Sequence, residues 1–108
     1  MTRSDKERLA DIIEACAETA VLVAEGRQRF DSDRTVQLAL ERLLEIIGEA
    51  ANALSAATRD QHPDVEWRDI TRLRIVLAHH YHRVDPDQVW SIASVSVPLL
   101  AAALDSNP

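Results

Sequence analysis

Apolar residues recur three and four positions apart in two long stretches of this chain, first Leu9, Ile12, Ile13, Cys16, Ala20 and Val23, then Val36, Leu40, Leu43, Leu44, Ile47, Ala51 and Leu54. That is the period of a helix with one buried face, and nowhere does the alternation of a strand replace it. Two glycines and four prolines in 108 residues leave few places to break such helices. The pattern predicts an all-α fold, an antiparallel bundle of four to five helices, with residues 1–108 as a single domain. The first helix is expected to begin after a Ser4–Asp5 cap and to stop at Gly26. The second is expected to start at Asp31–Asp33 and to fade near Thr58 into a polar connector ending at His62–Pro63. Gly48 lies inside that second helix, where glycine costs about 1 kcal/mol relative to alanine. Close approach by another helix, within the chain or between chains, is the expected compensation.

A third helix is predicted over residues 67–83, with Ile70, Leu73 and Leu77 inward. Asp85 followed by Pro86 reads as an N-cap and an N1 proline opening a fourth helix that carries Val89, Trp90, Ile92 and Ala93. Pro98 is expected to kink or end it, leaving a short segment over residues 99–104. Trp67 and Trp90 read as core anchors near helix starts. The longest apolar run, "VSVPLLAAAL", is interrupted by Ser96 and Pro98 and reads as too short to cross a bilayer. The lone Cys16 cannot form an internal disulfide; placed on an apolar stripe with no signal peptide before it, it reads as a buried filler of a cytoplasmic protein.

Charge is unevenly distributed. The chain carries a formal net charge of −6, yet residues 67–83 hold Arg68, Arg72, Arg74 and Arg83 against the single acid Asp69. A net acidic protein is no general nucleic-acid coat, because non-specific phosphate binding needs a broad basic surface. Two readings of the basic stretch stay open: a focused anion site, or a solvated helix face whose arginines pair with the acidic first and second helices.

The stretch "RIVLAHHYHRVD", residues 74–85, concentrates three of the four histidines and the only tyrosine at positions 79–82. Near neutrality a histidine both accepts and donates protons, and a nearby arginine holds a phosphate and stabilises charge developing on it. Metal-free RNA cleavage needs those two roles. His79 and His82, three apart, form an alternative metal pair, but no H-E-x-x-H pattern accompanies them and no acid stands beside them on the helix. No metal site and no cofactor is therefore expected. Taken singly, Arg74 also fits a surface cation, His79 a core histidine bonded to a carbonyl, and Tyr81 a half-buried aromatic. His80 and His82 read as exposed polar neighbours.

The spacing R-x4-H-x-Y, here Arg74, His79 and Tyr81, resembles the signature of the HepT-like toxins of the HEPN superfamily, also called the DUF86 family. The resemblance extends along the chain. "LLEIIGEAANAL" at residues 43–54 is similar to the family's helix with a G-E-A box, and "VEWRDITRLR" resembles its P-W-x-x-I-x-x-x-R approach to the motif. "VDPDQVW" and "VPLL" resemble its closing helix. The resemblance implies a helical bundle that forms a homodimer and is encoded beside an MntA-like nucleotidyltransferase antitoxin. It implies Arg74 and His79 as the catalytic pair of an RNA endonuclease toxin, and Tyr81 as the residue that the antitoxin modifies with AMP. Arg68, Arg72 and Arg83 are candidate phosphate contacts.

Members of the family usually carry a polar residue, most often asparagine, directly after the arginine; this chain has Ile75, which neither donates nor accepts a hydrogen bond. At about 100° per residue, Arg74 and Tyr81 lie about 20° apart around a helix, while Arg74 and His79 diverge by about 140°. One helix aims the pair poorly, so a cleft shared by two copies about a two-fold axis is expected. Two functions remain: a metal-independent endoribonuclease attacking through the ribose 2′-hydroxyl, or a catalytically silent HEPN-like module that binds a nucleotidyltransferase partner or RNA. Ile75 and the acidic surface support the second.

Overall fold

Local hydrogen bonding sets where each helix starts. In this computed structural model, which describes residues 3–78 and 85–105, helix α1 (Asp5–Ala24) opens on a capping box. The Ser4 hydroxyl accepts from the Glu7 amide at 3.1 Å, and the Glu7 carboxylate accepts from the Ser4 amide at 2.9 Å. The helix turns Ile12, Ala15, Cys16 and Thr19 into the core, with Leu9 and Val23 packed against it. Ile13 is 54% exposed and Ala20 lies on the surface, so the buried stripe is rotated from the expected one. Thr19 hid that rotation from the apolar pattern. It is fully buried because its hydroxyl donates to the Ala15 carbonyl at 2.7 Å, leaving no unsatisfied polar atom.

Gly26, at φ 95°, makes the turn that ends this helix; only glycine adopts that angle without cost. A short helix that the sequence pattern did not reveal comes next, α2 (Arg27–Ser32), and plants Phe30 in the core. Its six residues are too few to show a period. Helix α3 (Arg34–Ala53) is capped by the Asp33 carboxylate, which accepts from the Thr35 amide at 2.9 Å and the Val36 amide at 3.4 Å. Every residue expected inward on it is buried, from Val36 through Leu40, Leu43, Leu44, Ile47 and Ala51 to its C-cap Leu54.

The ends of α1 and α3 show that the two run antiparallel. Arg8 near the start of α1 donates to the carbonyl of Ala53 at the end of α3, at 3.2 Å. Asp5 accepts from the hydroxyls of Ser55 and Thr58, each at 2.6 Å. Ser55 also caps the short helix α4 (Ala56–Asp60), so the second predicted helix stops at Ala53, where Leu54 turns extended, rather than fading near Thr58. Trp67 anchors the next element: its indole N–H donates to the carbonyls of Arg59 and His62, both at 3.1 Å.

The third predicted helix is divided. Helix α5 (Trp67–Thr71) ends at Arg72, whose carbonyl accepts from the Ile75 and Val76 amides at 3.0 and 3.1 Å and so restarts the ladder as α6 (Leu73–Ala78). Ile70, Leu73 and Leu77 are buried as expected, and α5 and α6 both pack on α3. The predicted positions from 79 to 83 lie outside the described residues.

Helix α7 (Pro86–Ser91) has the expected Asp85 cap, with the carboxylate accepting from the Asp87 amide at 2.9 Å and Pro86 in the first turn. Pro98 does not end the last helical run. A π-helical segment (Ile92–Ser96) passes directly into α8 (Val97–Asp105). The wider turn absorbs the proline: Val97 donates to Ile92, five residues back, and Pro98 falls in the first turn of α8, where its missing N–H costs least. Residues Pro86–Asp105 thus form 20 helical residues containing an 18-residue window of mean hydropathy 1.3, long and apolar enough by length and composition to cross a membrane, contrary to the expectation from Ser96 and Pro98. Packing accounts for part of that apolarity, while Val95 and Leu99 stay exposed. Val89, Ala93, Val97, Leu100 and Leu104 face the core, and α8 lies against α1.

Candidate functional site

The short helix α6 positions Arg74 through its neighbour Gly48. A Cβ placed on Gly48 would stand 2.7 Å from the Arg74 backbone nitrogen and 3.1 Å from the Leu73 Cβ. The close approach expected at this glycine is therefore made within one chain, by the α5–α6 turn against α3. With Leu73 and Leu77 buried on the inner side of α6, the Arg74 side chain projects from an element fixed along its inner face and is exposed.

Arg68 and Arg72 are exposed as well. Among the described residues, none of Arg68, Arg72 and Arg74 forms an ion pair or a side-chain hydrogen bond. Most of the other arginines among the described residues behave differently. Arg3, Arg8, Arg27, Arg29 and Arg42 are each paired with carboxylates of their own or neighbouring helices. Among the described residues the arginines of α5 and the α5–α6 turn form no ion pair with the acidic first and second helices, and Asp69, Glu66 and Asp64 stand exposed on the same segment. Ile75, directly after Arg74 in the chain, is 46% exposed and presents an aliphatic surface.

His79, Tyr81 and Arg83, with His80 and His82, lie outside the described residues; of the predicted site only Arg68, Arg72 and Arg74 are described, each exposed, with Arg72 in the α5–α6 turn and Arg74 on α6. Among the described residues no group of three or more His, Cys, Asp or Glu side chains is arranged to hold a metal ion. Cys16 is buried, and burial pushes its thiol up to about 11, so it stays protonated and inert at neutral pH. The sequence reading of it as filler is correct. What the sequence pattern missed is a packing cluster elsewhere in the fold: Phe30 and Arg27 of α2 gather around Trp90 of α7. The Phe30 and Trp90 rings lie 5.3 Å apart, the Arg27 guanidinium sits over both, and Arg27 pairs with Asp87 at 2.6 Å.

Comparison with known proteins places this geometry. The pattern defining the ribonuclease HepT-like family matches residues 10–106. The chain is similar to a protein of Thermococcus cleftensis named "Probable ribonuclease HepT", with 36% identity over 101 residues that make up 93% of this chain and 92% of the relative. It is similar to a Methanocaldococcus jannaschii protein provisionally named as an RNase, with 31% identity over 97 residues covering 89% of each. A Caldanaerobacter subterraneus protein, also provisionally named as an RNase, is 35% identical over 71 residues, 66% of this chain and 63% of the relative. No solved structure matches significantly. An all-α bundle matched almost from end to end and carrying the spacing R-x4-H-x-Y from Arg74, this chain belongs to the ribonuclease HepT-like family.

Proposed function

We propose that this protein is a metal-independent endoribonuclease, the toxin of a HepT/MntA-type pair, acting in the cytoplasm. The observation that carries the reading is Arg74 itself: exposed, unpaired among the described residues, and held by its backbone against Gly48, five residues before His79. In the reaction the ribose 2′-hydroxyl loses its proton and its oxygen bonds to the adjacent phosphorus, while the bond from phosphorus to the 5′-oxygen breaks and that oxygen gains a proton. A 2′,3′-cyclic phosphate and a 5′-hydroxyl result. His79 moves the proton and Arg74 stabilises the charge gathering on the phosphorus oxygens. Arg68, Arg72 and Arg83 hold neighbouring phosphates. Two copies of the chain complete one cleft between them.

Control is assigned to a nucleotidyltransferase partner that transfers AMP from a nucleoside triphosphate to the Tyr81 oxygen, with diphosphate leaving. The adduct's anion would engage Arg74 and its bulk would occupy the RNA groove. Intact mass and peptide mapping of protein co-expressed with the partner test this: Tyr81→Phe should abolish the adduct, and an adduct mapping elsewhere overturns it.

Cleavage is tested on purified protein. Cutting should persist in EDTA and be lost in Arg74→Ala and in His79→Ala, each with an unchanged helical spectrum. Cleavage that stops on chelation would transfer the chemistry to the His79–His82 pair. Light scattering that finds a monomer at micromolar concentration would remove the shared cleft. One observation favours a second reading: the exposed aliphatic side chain of Ile75 beside Arg74 suits a module that binds the partner or RNA without cutting. Absence of cleavage by the unmodified protein, with partner binding intact, would establish it.

A further inference from the structure

A cleft of about 250 Å³ lies between the α5–α6 turn and the helix formed by α7 and the π segment. Its floor is apolar and includes Ile70 and Ile92, while Asp69, Arg72, Gln88 and Ser96 bring a carboxylate, a guanidinium, an amide and a hydroxyl to its wall. None of these four side chains is hydrogen-bonded or ion-paired among the described residues, although Asp69 and Arg72 stand only three residues apart. An apolar floor rimmed by a few polar groups that no protein partner occupies is the composition of a small-ligand site. The π segment contributes both its first and its last residue to the lining, and such insertions recur at functional sites.

Size and chemistry together narrow the ligand. Pockets for drug-sized molecules begin near roughly 300 Å³, so this cleft suits one flat ring system. Aliphatic walls accept the faces of an unstacked base, and single-stranded RNA is read by its splayed-out bases. Charge orients it. A second cleft of about 300 Å³ shares Asp69, Ile70 and Ser96 but adds the acids Asp64 and Glu66, which repel phosphate. The phosphate therefore belongs at Arg72, on the side away from those acids, and the base turns its donors toward Asp69. Guanine alone among the four bases presents two adjacent donors, the ring N1–H and the exocyclic amine, matching the two oxygens of a carboxylate.

We infer that this cleft is a base-recognition subsite that takes one unstacked guanine of an RNA strand, with Asp69 reading its Watson–Crick edge and Arg72 holding its phosphate. Gln88 and Ser96 complete the hydrogen bonding. The inference deepens the ribonuclease reading and gives it a nucleotide preference one site away from Arg74.

The test separates the subsite from cleavage by using mononucleotides. Titration of labelled protein with 5′-GMP, 5′-AMP, 5′-CMP and 5′-UMP, followed by NMR, should show saturable shifts at Ile70, Ile92 and Ser96, strongest for GMP. Asp69→Asn replaces one acceptor oxygen by a donor and should abolish the preference for GMP. Arg72→Ala should weaken 5′-GMP roughly tenfold, the loss expected for a charge-assisted hydrogen bond, while leaving guanosine unaffected. Both residues are exposed, so folding is not at stake. No saturable binding, shifts confined to other residues, or a base preference untouched by Asp69→Asn would overturn the subsite. So would light scattering showing that either variant dissociates a dimer, since the cleft would then be covered by a second copy. GMP binding without RNA cleavage would keep the subsite and remove the nuclease, whereas cleavage without GMP binding would do the reverse.

Discussion

Gly48 and Arg74 meet backbone to backbone: a Cβ on the glycine would stand 2.7 Å from the arginine's main-chain nitrogen. The obstacle is backbone rather than the tip of a flexible side chain, so it cannot swing aside. Gly48→Ala gains about 1 kcal/mol of helix propensity but incurs overpacking of about 1–3 kcal/mol. A small net loss of stability is expected, with a fall in Tm of a few degrees by calorimetry. RNA cleavage should fall more than stability does, because the α6 backbone that carries Arg74 must move away from α3. A variant as active as the parent would show that Arg74 is not positioned through this contact.

Phe30 is the anchor of α2. It is 1% exposed, and its ring lies 5.3 Å from that of Trp90 on α7. Phe30→Ala removes a buried aromatic and should cost about 3–5 kcal/mol, a large share of the roughly 5–15 kcal/mol that stabilises a small domain. Urea unfolding is the measurement. Arg27→Ala, which breaks exposed ion pairs to Asp31 and Asp87, should shift the midpoint far less.

The acid limb of stability should depend on Asp5. Hydrogen bonds from the Ser55 hydroxyl, then from the Thr58 hydroxyl and the Ser55 amide, with the charge of Arg8, hold its carboxyl below the usual carboxylate range. A group lowered on folding contributes stability that is complete above its unfolded pKa, near 3.9, and is lost as pH falls through the folded value. Asp5→Asn should therefore lower stability at pH 7 and flatten the decline below pH 4. Equal slopes for parent and variant in acid denaturation would exclude this linkage.

Helix α3 was readable from the sequence because its 20 residues carry one uninterrupted apolar stripe ending at a buried Leu54. Helix α1 was less so, since Ile13 and Val21 are large, apolar and exposed while Thr19 is polar and buried. Local pattern weighs side chains by type and does not register a hydroxyl bonded to a carbonyl of its own helix. The π segment before Pro98 and the break at Arg72 depend on how neighbouring helices pack, which no local rule contains. For the site, motif spacing was enough to single out Arg74, whereas the cleft joins Asp69 and Arg72 to Gln88 and Ser96 across the fold and leaves no local signature.

Ile75 offers the sharpest test of whether the protein cuts RNA as it stands. The side chain is 46% exposed on α6, immediately after Arg74, and supports no part of the core. Ile75→Asn should thus leave stability within about 0.5 kcal/mol, the range for surface substitutions. What it changes is chemistry: the amide adds a donor and an acceptor beside the arginine, where a pentacoordinate phosphate needs hydrogen bonds. A preorganised donor in such a position contributes on the order of 100-fold to a rate. Cleavage of a defined RNA under single-turnover conditions should rise by up to that order in the variant, with the melting curve unmoved. The double variant with Arg74→Ala should show no gain, because the amide acts on charge that the arginine gathers. An unchanged rate in Ile75→Asn would mean that the aliphatic residue costs this protein nothing. A gain that survives removal of Arg74 would place the chemistry elsewhere.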